Sequence, residues 1–323
     1  MKDKAKEILE KEYNAKVLEI KETEGGFSHP MYLAEINKEP FSVLIRFSNL
    51  SQKKKWDLRK EVWVLKKLAE AGIPVPRVYS FYKNESENEH DYMTLEKLKG
   101  TRLDKIWDNL SSEEKKIIAK KIGKLIKKIH SIKLGKFGRL EENGEIDTDK
   151  SFQFKTDGDK KPHNQYIREF LIRTLKDFAR LIGFEHLDHK KIARWTKFII
   201  ENKELYDYKD QPTLIHGDMH LGHLFVEKIN GEYEITGVID VEFAEPEHPE
   251  YDFIKLHRQG FFNNSELLNS LKEGYGEINE KLVEFFRISR DIGFTQVLLE
   301  SGANEKAEEV IEDIDKRIDN FKK

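Results

Sequence analysis

The chain has 323 residues, with 57 Lys+Arg against 60 Asp+Glu, a formal net charge of −3, 38% hydrophobic and 36% charged residues, and no cysteine. That length suits one large or two modest domains with a sizeable core, and the near balance of charge leaves no positive excess for coating nucleic acid. Without cysteine there is no disulfide framework, thiolate metal site or cysteine nucleophile, as fits a reducing cytoplasm.

The first residues, Met1 to Glu7, mix acids and bases and lead into no apolar signal region. No later apolar run approaches the roughly 18–20 residues a spanning helix needs. Lys16 to Ile20 reads as a short strand that runs into the turn Thr23-Glu24-Gly25-Gly26-Phe27-Ser28. Met31 to Ile36 and Phe41 to Phe47 read as two more strands joined through Asn37 to Pro40. Leu58, Val62, Leu65 and Leu68 recur at helical spacing, and Gly72 and Pro74 supply the stop. Val78 to Tyr82 and Tyr92 to Leu95 complete a strand-rich first part, to about residue 98.

After Gly100 the pattern turns mainly helical. Ser111 to Glu114 is a capping box that opens a helix with Ile118, Ile122, Leu125 and Ile129 on one face. Leu140 to Asn164 is polar and aperiodic, a surface excursion, while Tyr166 to Ile182 and Ile192 to Leu205 read as amphipathic helices. Pro212 to Asp240 is the exception: an apolar lead-in, a polar turn, and a hairpin through Asn230-Gly231. The tail after Ser265 is helical and heavily charged.

The strongest chemical signal lies in that exception. His216-Gly217-Asp218 is followed by His223 and a short apolar strand, and the hairpin returns to Ile239-Asp240. A hairpin brings the start of its first strand close to the end of its second, so His223 and Asp240 can face each other with Asp218 beside them. One Asp to orient a hydroxyl and two ligands for a divalent ion suit phosphoryl transfer, where catalysis is mostly positioning and charge neutralisation.

At these residues the chain resembles the aminoglycoside phosphotransferase and kinase-like family. The resemblance implies an α+β, bilobal protein-kinase-like fold, with a strand-rich nucleotide-binding lobe at 1–98 and a mainly helical catalytic and substrate-binding lobe at 99–323. It implies Asp218 as catalytic base or hydroxyl orienter, and His223 and Asp240 as ligands of Mg²⁺, with Mn²⁺ also suited. Pro249-Glu250-Tyr251-Asp252 is similar to the motif whose Asp braces the catalytic loop in relatives.

In the first lobe, Gly25, Gly26 and Ser28 resemble the loop that covers the phosphates, with His29 where Asn is usual. Arg46 stands where a strand lysine holds the phosphates, Glu61 is its pairing acid, and Glu96 and Leu98 mark the purine-binding hinge. The implied reaction moves the γ-phosphate of ATP or GTP to a hydroxyl of a small molecule. The acceptor stays open among an antibiotic, a sugar, choline, homoserine and other alcohols. His223 in place of Asn is similar to the macrolide and aminoglycoside 2''-phosphotransferase branches. No nucleic-acid or membrane partner is implied, and the oligomeric state is left open.

Two rival readings use the same residues. His216, Asp218, His220 and His223 can be read as the ligand cluster of a metal-dependent hydrolase. The site can also be read as a pseudokinase-like module that holds a nucleotide without turnover. His130, at the end of an apolar helix, reads as a structural histidine. The acidic stretch Glu242, Glu245, Glu247 and Glu250 reads as a solvated loop.

Overall fold

A computed structural model of the chain describes residues 1–23, 29–50, 58–86, 88–147, 181–182, 187–206 and 210–321. The expected helix at Tyr166 to Ile182 lies outside these except for its last two residues, and the expected excursion is described only to Asp147.

The first part is built on strands β1 (Val17–Glu22), β2 (Met31–Ile36), β3 (Ser42–Phe47), β4 (Val78–Tyr82) and β5 (Tyr92–Glu96). They form one antiparallel sheet in the order β1-β2-β3-β5-β4. Side chains alternate between its faces. Tyr32, Ala34, Ile36, Val43, Ile45 and Phe47 are buried on one face, against Ala5 and Leu9 of a helix that the sequence reading did not anticipate, α1 (Lys2–Glu12). The alternation sends Leu44 and Arg46 to the other face. There lies α2 (Leu58–Glu70), whose Leu58, Val62, Leu65 and Leu68 enter the main core. Burying four such side chains contributes about 1.5–3 kcal/mol each, so the helix is held firmly against the rest. Gly72, with φ +67°, ends it as expected.

The chain then crosses into the second part. β6 (Thr101–Arg102) pairs with the hairpin of β10 (Leu224–Ile229) and β11 (Glu232–Val238), in the order β11-β10-β6, while β7 (Arg139–Leu140) and β8 (Ile146–Asp147) pair with each other. Asn230 and Gly231 both take positive φ, 52° and 89°, as the expected two-residue turn requires. Val238 N–H donates to Pro74 O at 2.8 Å, which ties the hairpin to the segment after α2. Around it lie α3 (Leu103–Ile106), α4 (Ser112–His130), α5 (His189–Glu201), α6 (Phe253–Arg258), α7 (Ser265–Tyr275), α8 (Glu280–Glu300) and α9 (Asn304–Phe321). The capping box of α4 is present in both directions, Glu114 N–H to Ser111 Oγ and Ser111 N–H to Glu114 Oε2. The helix expected at Ile192 to Leu205 stops at Glu201, and a 3-10 turn takes Lys203–Tyr206. Two more cores lie beside the one under α1. One joins α2, α4, β10 and β11; the other joins α5, α8 and α9.

The acidic stretch is not a solvated loop. Glu245–Glu247 forms β12, antiparallel to β9 (Thr213–Ile215), and Glu242 is buried. The reason is pairing with distant parts of the chain: Lys60 Nζ lies 2.5 Å from Glu245, and Leu140 N–H donates to the same carboxylate.

Candidate active site

β9 is fully buried and delivers the chain into His216-Gly217-Asp218. Gly217 has φ +80°, and a Cβ there would lie 2.2 Å from the Phe243 carbonyl oxygen. Only glycine allows that turn to close against the segment after the hairpin. Asp252 fixes the turn: His216 N–H and Gly217 N–H donate to its two oxygens at 2.8 and 2.7 Å. His130 supports Asp252 from behind, with Nε2 at 3.0 Å from Asp252 Oδ2 and Nδ1 at 3.0 Å from the Tyr275 hydroxyl. Asp252 thus braces the loop, and His130 is the structural residue the sequence suggested.

His216 is spent on the same scaffold. Its Nε2 lies 3.0 Å from Ile239 O, and its Nδ1 accepts from Asp218 N–H at 3.3 Å. Burial sets its titration below the ordinary histidine value, although the negative charge of Asp252 pulls the other way.

Asp218, His223 and Asp240 come together at the mouth of the hairpin. Ile239 N–H donates to His223 O at 3.0 Å, so the backbone itself sets the two sides in register. His223 Nδ1 lies 3.0 Å from the Asp218 carbonyl, which leaves Nε2 facing Asp240 Oδ2 at 3.3 Å. An imidazole lone pair and a carboxylate repel, so a proton or a cation belongs between them. Asp240 sits at φ +64°, a left-handed conformation costly for a non-glycine residue. Its Oδ1 is buried without a hydrogen-bond partner. Burial opposes its ionisation, but the hydrogen bond from His223 and the charge of Arg46 prevail and bring its carboxyl to about 2. An ionised carboxylate with one oxygen lacking a donor and the other against an imidazole nitrogen fits a divalent cation.

Asp218 itself is paired. Lys255 Nζ lies 2.8 Å from its Oδ1, while His220 and His223 stand 3.7 and 3.8 Å from its Oδ2. Burial opposes ionisation here too, and Lys255 outweighs it, holding the carboxyl below its ordinary range. Sequence reasoning missed Lys255. Its signal was the three-residue step from Asp252, which puts both on one face of a helix.

Arg46 reaches the same space from β3. Its guanidinium lies 2.5 Å from Glu61, 3.2 Å from Glu242 and 4.0 Å from Asp240. The expected Arg46–Glu61 pair is present, and Glu242 is a partner the sequence did not reveal. Three carboxylates therefore share one guanidinium. Burial pushes Glu61 up to about 7; Arg46 resists this, and Asp240 and Glu242 add to it. His29 is buried beside them, its Nδ1 accepting from Asn49 N–H at 3.0 Å; burial and the Arg46 charge lower it to about 4.

The hinge residues lie where β5 passes to the hairpin. Glu96 pairs with Arg77 through backbone and side chain, at 2.9 and 3.2 Å. Leu98 lies over Gly237, where a Cβ would come within 2.3 Å of it. Gly25, Gly26 and Ser28 lie outside the described residues.

Residues 19–286 match the phosphotransferase enzyme family. Among solved structures, the GDP and kanamycin complex of APH(2")-IIIa aligns with TM-score 0.69 at 16% identity, over 99% of each chain. Spectinomycin phosphotransferase in complex with ADP and spectinomycin aligns at 0.57 and 17%, over 99% of this chain and 98% of that one. Macrolide 2'-phosphotransferase type I aligns at 0.60 and 15%, over 97% and 96%. These likenesses fix the fold as the bilobal kinase-like one, α+β with a strand-rich first part and a helical second. With the family matched over most of its length and the loop, hairpin and bracing Asp in their places, the chain belongs to the phosphotransferase enzyme family.

Proposed function

We propose that the protein transfers the γ-phosphate of ATP or GTP, accompanied by Mg²⁺, to a hydroxyl group of a small molecule. The observation that carries this is the ionised Asp240 carboxylate: its buried Oδ1 has no hydrogen-bond partner and lies 4.0 Å from Arg46, while its Oδ2 faces His223 Nε2 at 3.3 Å. In this reading His223 and Asp240 hold the cation, which would neutralise phosphate charge. Mn²⁺ is suited as well, because an imidazole nitrogen is softer than an oxygen ligand.

Arg46, kept in direction by Glu61, receives the phosphates, and Gly25, Gly26 and Ser28 belong to the loop that covers them. The backbone near Glu96 and Leu98 takes the purine edge. We place the division at 98/99, with nucleotide binding before it and the catalytic loop and acceptor site after it. Asp218, already held ionised by Lys255, orients the acceptor hydroxyl rather than holding a proton at rest. The cysteine-free sequence and the use of a nucleoside triphosphate support a cytoplasmic setting. The relatives with bound kanamycin or spectinomycin support an antibiotic among the candidate acceptors.

A histidine-centred hydrolase is weaker on chemistry, although one atom each of Asp218, His220 and His223 lie within 4.8 Å of one another. His216 uses both ring nitrogens in the scaffold, and His220 Nδ1 accepts from Gly222 N–H at 3.0 Å. That bond leaves the proton of neutral His220 on Nε2, where a metal would need a lone pair. Against a turnover-free module stand the paired Asp218 and the open Asp240.

The test is a nucleotide-consumption screen with ATP and GTP, in Mg²⁺ and Mn²⁺, over aminoglycosides, macrolides and metabolic alcohols. Acceptor-dependent release of nucleoside diphosphate is the expected result. Hydrolase activity that needs a transition metal and no nucleotide would replace the reading.

A further inference from the structure

We propose that Lys255 is a catalytic cation of this site: its ammonium group bridges Asp218 to the phosphoryl group in flight. The inference rests on the phosphotransferase reading above and adds a residue to it.

Four observations point there. Lys255 is the one lysine or arginine in contact with Asp218 among the described residues, at 2.8 Å. It takes Oδ1 only, and Oδ2 remains on the side of His220 and His223. Its placement is fixed from two sides. Asp252, one helical turn earlier, accepts the amides of His216 and Gly217, and Phe253, Ile254 and Leu256 around Lys255 are buried. Lys255 is therefore carried by the same turn of chain that holds the loop of Asp218. Finally, its side chain is 37% exposed where that of Asp218 is 18%. An ammonium group has three donors. One meets Asp218, and the other two have no protein acceptor among the described residues.

An ammonium group closed off from solvent could not meet a ligand, whereas this one can. Here the acid is the more enclosed partner and the base faces outward. In the reaction the bond from the acceptor oxygen to the γ-phosphorus forms as the bond to the β,γ-bridging oxygen breaks. The nucleoside diphosphate leaves with that electron pair, and the acceptor proton passes to Asp218 or to water. Negative charge is then spread over the oxygens of the transferring group. A cation one hydrogen bond from Asp218 is within reach of those oxygens, because Asp218 itself must touch the attacking hydroxyl. Lys255 takes no part in the proton transfer and supplies charge where charge develops.

The test uses the full chain with Mg²⁺ and two probes that need no acceptor. One is hydrolysis of ATP and GTP to water. The other is binding of a fluorescent nucleoside diphosphate, with and without fluoroaluminate as a mimic of the transferring group. Lys255→Met should leave diphosphate binding within about twofold and the triphosphate KM unchanged. It should lower turnover about 10–10²-fold and abolish the tightening by fluoroaluminate. Lys255→Arg should restore part of both. In the Asp218→Asn background, Lys255→Met should still remove the fluoroaluminate tightening.

If that second effect vanishes in the Asp218→Asn background, Lys255 acts only by orienting Asp218 and the proposal falls. It falls equally if Lys255→Met matches the wild type in both probes. A wild-type chain that neither binds the diphosphate nor consumes either triphosphate overturns the phosphotransferase reading, and the proposal with it.

Discussion

The loop at Asp218 and the cluster at Arg46 face the same space but are built on opposite terms. In the loop the bracing groups are matched: Asp252 takes two amides, His130 supports Asp252, and His216 spans Ile239 and Asp218. Charge-assisted bonds of this kind contribute about 1.5–3 kcal/mol each, so the loop is set before any ligand arrives. At Arg46 one guanidinium serves Glu61, Glu242 and, at 4.0 Å only, Asp240 Oδ1, which has no hydrogen bond. That surplus of negative charge is what a divalent cation would complete. The lesson is a division of labour: one region is held because the bonds of its brace are made, and the other is receptive because an ionised oxygen lacks one.

The largest expected break comes at the loop's working end. Asp218→Asn should retain fold and nucleotide binding but lose about 10²–10⁴ in turnover, the scale of general-base loss. Steady-state kinetics beside nucleotide titration decide it, and near-normal turnover would remove Asp218 from the mechanism. Asp252→Asn attacks the same region from behind. One of its two accepting oxygens becomes an amide that faces a backbone N–H, which should cost about 2–3 kcal/mol in denaturant unfolding and lower turnover with it. Unchanged stability and turnover would mean that the loop does not depend on its brace.

The receptive region should respond in binding first. Asp240→Ala should weaken metal-dependent nucleotide binding more than His223→Ala does, because the carboxylate is the harder ligand. Calorimetric titration in Mg²⁺ tests the order, and the reverse order rejects it. Arg46→Ala should raise the nucleotide KM roughly tenfold, one charge-assisted contact, with Glu61→Ala raising it less. The structure adds an asymmetry to that pair: losing Arg46 strands three carboxylates, so its stability penalty should exceed that of Glu61→Gln.

The smallest effect is a pH dependence. Glu61 is raised from 4.5 to about 7, so the folded chain binds its proton more tightly than the unfolded one. The stability this gives is fully present below about pH 4.5 and is lost as pH rises through about 7. Glu61→Gln should flatten that fall in metal-free urea unfolding measured from pH 5 to 8. An unaltered profile would show that the surplus charge around Arg46 is relieved some other way.

Much of this was legible in the residues themselves, because it is written in short-range patterns. The alternation of Met31 to Ile36, the spacing of Leu58 to Leu68, the capping box at Ser111 and the Asn230-Gly231 turn each specify a local geometry through backbone preference. The hairpin then brings His223 opposite Asp240 over a separation of only seventeen residues. Helix α1 escaped notice because its buried face is narrow, Ala5 and Leu9 within a charged segment. What the tertiary structure alone decided has one physical cause, the pairing of charges far apart in the chain. Glu242 turns inward because Arg46 lies across from it, Glu245 because Lys60 does, and Lys255 meets Asp218 because Asp252 holds the two segments together. A charged side chain carries no mark in the sequence of whether water or a counter-charge will solvate it; packing settles that.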